Sequence, residues 1–102
     1  MAQKDTQGGV AERTRLRVKS PRMYKVILLN DDFTPMDFVV AILTGIFKLD
    51  NAHANAVMLQ VHHQGKGIAG VYTLDKALTL SNLAMQQARD NGYPLRLKCD
   101  PE

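Results

Sequence analysis

Apolar and polar positions alternate along this chain in segments whose period switches between two and three-to-four residues, and the switches predict the order β-α-α-β-α-β. The run Tyr24-Lys25-Val26-Ile27-Leu28-Leu29 has the length and β-branched content of a buried strand and stops at three polar residues, Asn30-Asp31-Asp32. From Pro35 to about Lys48, Val39, Ile42, Leu43, Ile46 and Phe47 recur at helical spacing and predict one apolar face. Asp50 is placed to cap a second helix, Asn51 to about Gln64, whose stripe is Ala54, Met58, Val61 and His62 and whose stop is Gly65. Gly67 to Tyr72 reads as a second strand, with small residues where another element comes close. Thr73 is the expected cap of a third helix with Asp75 in its first turn, and Ala77, Leu80, Ala84 and Ala88 carry the helix to Asn91-Gly92. After Tyr93-Pro94 a third strand follows, with Leu95, Leu97 and Cys99 on one side and Arg96 and Lys98 on the other. The pattern predicts a small α+β domain, a three-stranded, mainly antiparallel sheet with three helices packed on one face.

The junction between the first strand and the first helix, Asn30 to Met36, draws attention as a binding site. Strand alternation predicts Asn30 and Asp32 on one side and Asp31 on the other. Thr34 is expected to cap the helix, Pro35 to occupy its first position and Asp37 to complete a capping-box-like pattern. A turn and a cap account for one side chain. Two adjacent carboxylates beside an apolar run point to something cationic nearby.

Composition narrows the classes. The chain has 102 residues, 45% of them hydrophobic, which is enough for one core and too few for a second domain. Its one cysteine, Cys99, excludes an internal disulfide and a cysteine-rich zinc site and agrees with a reducing compartment. With no apolar run of about 20 residues and no signal-peptide segment, a cytoplasmic protein is expected. The formal charge of +3 is uneven: residues 1–22 hold six basic and two acidic groups, and the rest hold seven basic and eight acidic. Residues 1–22 are therefore read as a flexible basic extension and 23–102 as the folded domain. Alternation of Arg13, Arg15, Arg17 and Lys19 with Thr14, Leu16, Val18 and Ser20 leaves three readings of the tail: an edge strand, a nucleic-acid arm or a solvated extension. The acidic net charge of the domain and the lack of a basic-aromatic weave disfavour nucleic-acid binding by the folded part.

Enzyme chemistry finds little to work with. His62 and His63 are adjacent and point about 100° apart on a helix, and His53 lies more than two turns away, so no metal site is expected. His62 with Asp31 or Asp32 lacks an activated nucleophile, and there is no phosphate-binding glycine loop, so neither catalysis nor a cofactor is expected. Met36 and Met58 read as core filler on their own, and His62 as a histidine satisfied at the edge of the core. A nucleic-acid module using the tail predicts a steep fall of affinity with salt, and a hydrolase predicts turnover lost on changing His62 or Asp32.

Taken together, Leu29-Asn30-Asp31-Asp32-Phe33-Thr34-Pro35-Met36-Asp37-Phe38-Val39-Val40, Met58 with Val61-His62, Gly65-Lys66-Gly67, Gly70-Val71-Tyr72-Thr73 and Gly92-Tyr93-Pro94-Leu95 resemble the ClpS family, adaptors of the bacterial Clp protease. The resemblance spans residues 22–98 in order and spacing. It implies a non-enzymatic adaptor that binds the free α-amino group of N-degron substrates beginning with Leu, Phe, Tyr or Trp. It further implies delivery to the N-terminal domain of the ClpA unfoldase for degradation by ClpP, with a monomer, no nucleic acid and no membrane involved. By position, Asn30, Asp32 and His62 would hold the substrate ammonium and Asp31 would add to the field. Met36, Val39, Met58, Val61 and Leu95, with Thr34 at the rim, would line the pocket for the first side chain. Asp75 and Leu80 would fall on the unfoldase-docking surface, where many members carry a lysine at the position of Leu80. The N-terminal extension would engage the unfoldase, and removing residues 1–19 is expected to impair delivery without changing peptide affinity.

An ammonium leaving water needs charged or hydrogen-bonding partners, and an amide oxygen, a carboxylate and an imidazole nitrogen can accept its three protons. The imidazole must be neutral on the accepting nitrogen, so binding is expected to weaken as histidine protonates. Burial of a Leu- or Phe-sized side chain adds roughly 1.5–3 kcal/mol, which after the cost of association points to affinities around micromolar.

Overall fold

The computed structural model describes residues 21–102, so the extension expected over residues 1–22 lies almost wholly outside the described residues. The elements are β1 (Met23–Leu29), α1 (Met36–Gly45), α2 (Asn51–Gln64), β2 (Lys66–Thr73), α3 (Leu74–Asp90) and β3 (Arg96–Pro101). β1, the most apolar strand, sits in the middle of a three-stranded sheet ordered β2-β1-β3, and both pairings are antiparallel. This is the α+β arrangement expected from the pattern.

Alternation along β1 divides the two faces of the sheet. Tyr24, Val26 and Leu28 turn to the helices and join Val39, Ile42, Leu43 and Phe47, Ala54, Val57 and Val61, and the α3 alanines in one core. Leu28 and Ile42 are fully buried, each contributing about 1.5–3 kcal/mol of hydrophobic stabilisation. On α3 the buried stripe is Ala77, Ser81, Ala84 and Ala88, small residues that let the helix lie close to the sheet. Between Val26 and Ile27 the register with β2 shifts by one residue, so that Val26 faces Gly70 and Ile27 faces Ile68. The extra residue is Ala69, which is thereby buried in the core.

Capping explains where α2 begins and ends. The Asp50 side chain accepts the His53 N–H at 2.7 Å, and Gly65 closes the helix in the left-handed conformation at φ 87°. Gly67 then lets β2 approach α2: a Cβ there would lie 2.9 Å from Val61 Cγ2 and 3.1 Å from the Val57 carbonyl oxygen.

Helix α1 departs from expectation. It stops at Gly45 rather than near Lys48, and Lys48 takes a left-handed φ of 61°. The Thr44 hydroxyl donates back to the Val40 carbonyl at 3.0 Å, and the Phe47 and Leu49 amides reach to Ile42 and Leu43 instead of continuing the helical ladder. Phe47 is buried all the same, because the turn folds it back under the helix. Among the described residues no helix is long and apolar enough to cross a membrane, and no three His, Cys, Asp or Glu side chains cluster as metal ligands.

Candidate functional site

β1 ends at Leu29, so the expected alternation of Asn30, Asp31 and Asp32 does not apply; these residues form a polar loop that leads to α1. Asp31 organises the loop. Its Oδ1 accepts the Phe33 and Thr34 amides at 2.8 and 2.7 Å, and its Oδ2 accepts the Thr34 hydroxyl at 2.8 Å. Thr34 is thus engaged with Asp31 rather than capping α1, whose boundary residue is Pro35, in extended conformation with no side-chain cap. Partial burial disfavours the Asp31 charge, but the Thr34 hydroxyl and the two amides outweigh it and hold the carboxyl below its ordinary value.

One backbone bond fixes the loop against the second helix. The Asn30 amide donates to the carbonyl of Gly65 at 2.9 Å, which ties the end of β1 to the end of α2. His62 lies in the last turn of that helix and is therefore carried to the same rim as Asn30.

Between α1, α2 and this loop lies a depression of about 340 Å³. Asn30, Asp31, Asp32 and His62 line it together with Thr34, Met36, Val39, Met58 and Val61. Val39 and Val61 are buried floor, Met58 is half-buried, and Met36 stands 43% exposed at the mouth. Asp32 is exposed, and among the described residues its carboxylate takes part in no hydrogen bond or ion pair, in contrast to Asp31. Leu95, expected in the pocket, is not on this lining; it is buried in the core, and its neighbours Pro94 and Arg96 line a separate groove. Phe33 and Pro35 also line the depression; both fall within the Asn30–Met36 junction, but the sequence gives neither a place in the pocket, although an aromatic residue inside a polar loop, here 75% exposed, is a usable signal.

Elsewhere, the His62 and His63 rings meet edge-on with centroids 5.1 Å apart, and His53 lies with His63 on the other side of α2. Asp75 is exposed in the first turn of α3, whereas Leu80 is half-buried against the core. The apolar side chains that this half of α3 exposes are Leu74 and Leu78, 41% and 45% accessible.

The depression pairs an apolar floor with a carboxylate unpartnered among the described residues, an amide and an imidazole at one edge, an arrangement that can accept a small cation with an apolar appendage. The chain as a whole is similar to characterised proteins. The profile of the family described as ATP-dependent Clp protease adaptor protein ClpS matches residues 19–98. The ATP-dependent Clp protease adapter protein ClpS of Hydrogenovibrio crunogenus is 52% identical over 95 residues, covering 93% of this chain and 89% of its own. That of Cupriavidus metallidurans is 51% identical over 89 residues, 87% of this chain and 82% of its own. Among solved structures, Agrobacterium tumefaciens ClpS2 bound to L-phenylalaninamide superposes with a TM-score of 0.79 at 35% identity, over 81% of this chain and all of that one. With a profile match over most of its length and relatives at about half identity, the chain belongs to the ClpS family of non-enzymatic Clp protease adaptors.

Proposed function

We propose that the depression beneath the Asn30–Pro35 loop captures the N-terminal residue of proteins destined for degradation. The observation that carries this reading is the Asp32 carboxylate, without a partner among the described residues, lining the edge of an apolar floor together with Asn30 and His62. The substrate α-ammonium meets these three groups, and its first side chain enters between Met36, Val39, Met58 and Val61. Asp31 acts through the loop it folds and through its charge. The ligand of Agrobacterium tumefaciens ClpS2, L-phenylalaninamide, carries a free amine next to an aromatic side chain and supports the same division of labour here. First residues of the Leu, Phe, Tyr and Trp class suit the floor, because they are apolar and unbranched at Cβ.

Delivery to the ClpA unfoldase N-terminal domain follows as the second half of the proposal. Asp75 with the exposed Leu74 and Leu78 offers it a mixed acidic and apolar surface, with Leu80 supporting that surface from its half-buried position. The binding half is tested by fluorescence anisotropy with two Leu-initiated peptides that differ only in N-terminal acetylation. Binding of the free-amine peptide alone is expected; equal binding of the two overturns the reading.

A further inference from the structure

The polar loop has two sides. Its inner side lines the 340 Å³ depression, and its outer side, through Leu29, Asn30, Asp31, Asp32 and Phe33, walls a second groove of about 440 Å³ that Pro94 and Arg96 complete. The two hollows are thus separated by one thickness of backbone. A chain whose first residue is held in the depression crosses such a wall, about 5 Å wide, within roughly two residues at about 3.3 Å each.

The charges in the second groove are not equivalent. Asp31 has both oxygens turned onto its own loop, accepting two amides and a hydroxyl. Asp32 faces the substrate ammonium in the reading given above. Arg96 is exposed and, among the described residues, has no carboxylate within ion-pair distance; the ion pair next to it is Lys98 with Asp100 at 3.3 Å. In the sheet, Arg96 flanks Leu29 from β3 while Lys66 flanks it from β2, so the strand end that borders the groove is an apolar residue between two cations. The N-terminal extension of the same chain does not complement this place, because residues 1–22 carry a net positive charge.

We propose that this groove is a second substrate subsite, in which Arg96 selects an acidic side chain at the third or fourth position of the bound N-terminal segment. The inference rests on the proposed capture of the N-terminus in the adjoining depression. Arg96 acts here as a specificity-determining residue. Phe33 at the loop crest and Leu29 in the wall supply the apolar contact for the stems of these downstream side chains.

The test uses a set of fluorescent Leu-initiated peptides carrying Glu, Gln or Lys at position three or four, a control with Glu at position eight, and an acetylated Gln peptide. Each is titrated against the full chain and its Arg96→Glu variant. An exposed ion pair of this kind corresponds to about two- to fivefold in affinity. Glu at position three or four is expected to bind tighter than Gln by that factor, Glu at position eight to bind like Gln, and Arg96→Glu to invert the order in favour of Lys. Raising salt from about 50 mM to 500 mM is expected to erase the difference. Equal affinities across the set, or a Glu preference that survives in Arg96→Glu, overturns the subsite. If the free-amine Gln peptide binds and its acetylated form does not, N-terminal capture stands whatever the charge series shows. If neither binds, both fall.

Discussion

Helix α2 has a hollow on each side, and the two differ in what encloses them. The hollow toward β2 holds about 530 Å³ and is lined by His53, Leu59, Gln60, His63 and Ile68 among others, residues drawn only from α2 and the neighbouring strand. The hollow toward α1 holds about 340 Å³ but is closed by three segments, the Asn30–Pro35 loop and both helices, and includes two carboxylates, an amide and an imidazole. Volume measures room. Recognition needs groups of different chemistry arriving from different elements and held there by bonds of their own, as Asp31 and the Asn30-to-Gly65 bond hold the loop.

The largest difference between the two hollows is expected at Asp32. Removing a charged acceptor from the ammonium is expected to cost about 1.5–3 kcal/mol, so Asp32→Ala should weaken a free-amine Leu peptide by about tenfold or more in an anisotropy titration. His63→Ala, across the helix, should leave the same peptide within experimental scatter. Comparable losses in both variants would mean that the two hollows are not functionally distinct.

Met36 stands at the mouth of the depression. Met36 and Met58 both line the depression; if the proposed first side chain enters between them, a β-branched residue brings a second heavy atom against their stems with few χ1 choices. A clash of this kind costs about 1–3 kcal/mol in packed sites. Met36→Ala should therefore narrow the ratio of dissociation constants between Leu- and Ile-initiated peptides, by about fivefold, chiefly by improving Ile. A ratio that holds or widens would make Met36 filler and put the gate elsewhere.

Asp31 carries the smallest effect, and it is one of stability. Its folded-state carboxyl sits below the ordinary value of 3.8, so the bonds it makes favour the folded state above that pH, and this contribution fades as pH falls through the lower folded value. Asp31→Ala should lower Tm at pH 7 by a few degrees, the shift expected for roughly 0.5–1 kcal/mol in a domain of this size. The gap between parent and variant should close in strong acid. A gap independent of pH would assign the loss to packing rather than to the charge.

Much of the fold was legible because local chemistry and tertiary context agree. Asp50 and Gly65 bound α2 as their residue types require, and Leu95, Leu97 and Cys99 face inward as alternation requires. The pattern misled where a side chain had two possible partners. Thr34 looks like a helix cap until Asp31 is seen to take its hydroxyl, and Phe47 keeps helical spacing after the helix has ended because the turn returns it to the core. For the same reason the strand rule failed at Asn30: β1 gives way to the loop that Asp31 folds. As to the site, the residues alone indicated a binding junction for something cationic, and the family resemblance turned that into an N-terminus. Leu95 shows the ambiguity that remains, since inward alternation is the same for a residue beneath a pocket floor and for one in the core. Neither route gave a binding role to Phe33 or Arg96, which line one groove in the folded chain.

The most direct test of which hollow is used is a backbone-amide NMR titration of the full chain with L-leucinamide, with N-acetyl-L-leucinamide as the control. Saturable shifts concentrated at Asn30 to Met36 and at Met58 to His62 are expected with the free amine, and none with the acetylated compound. Shifts centred on His53, Gln60, His63 and Ile68, or equal shifts with both compounds, would overturn the assignment of N-terminal capture to the depression between α1 and α2.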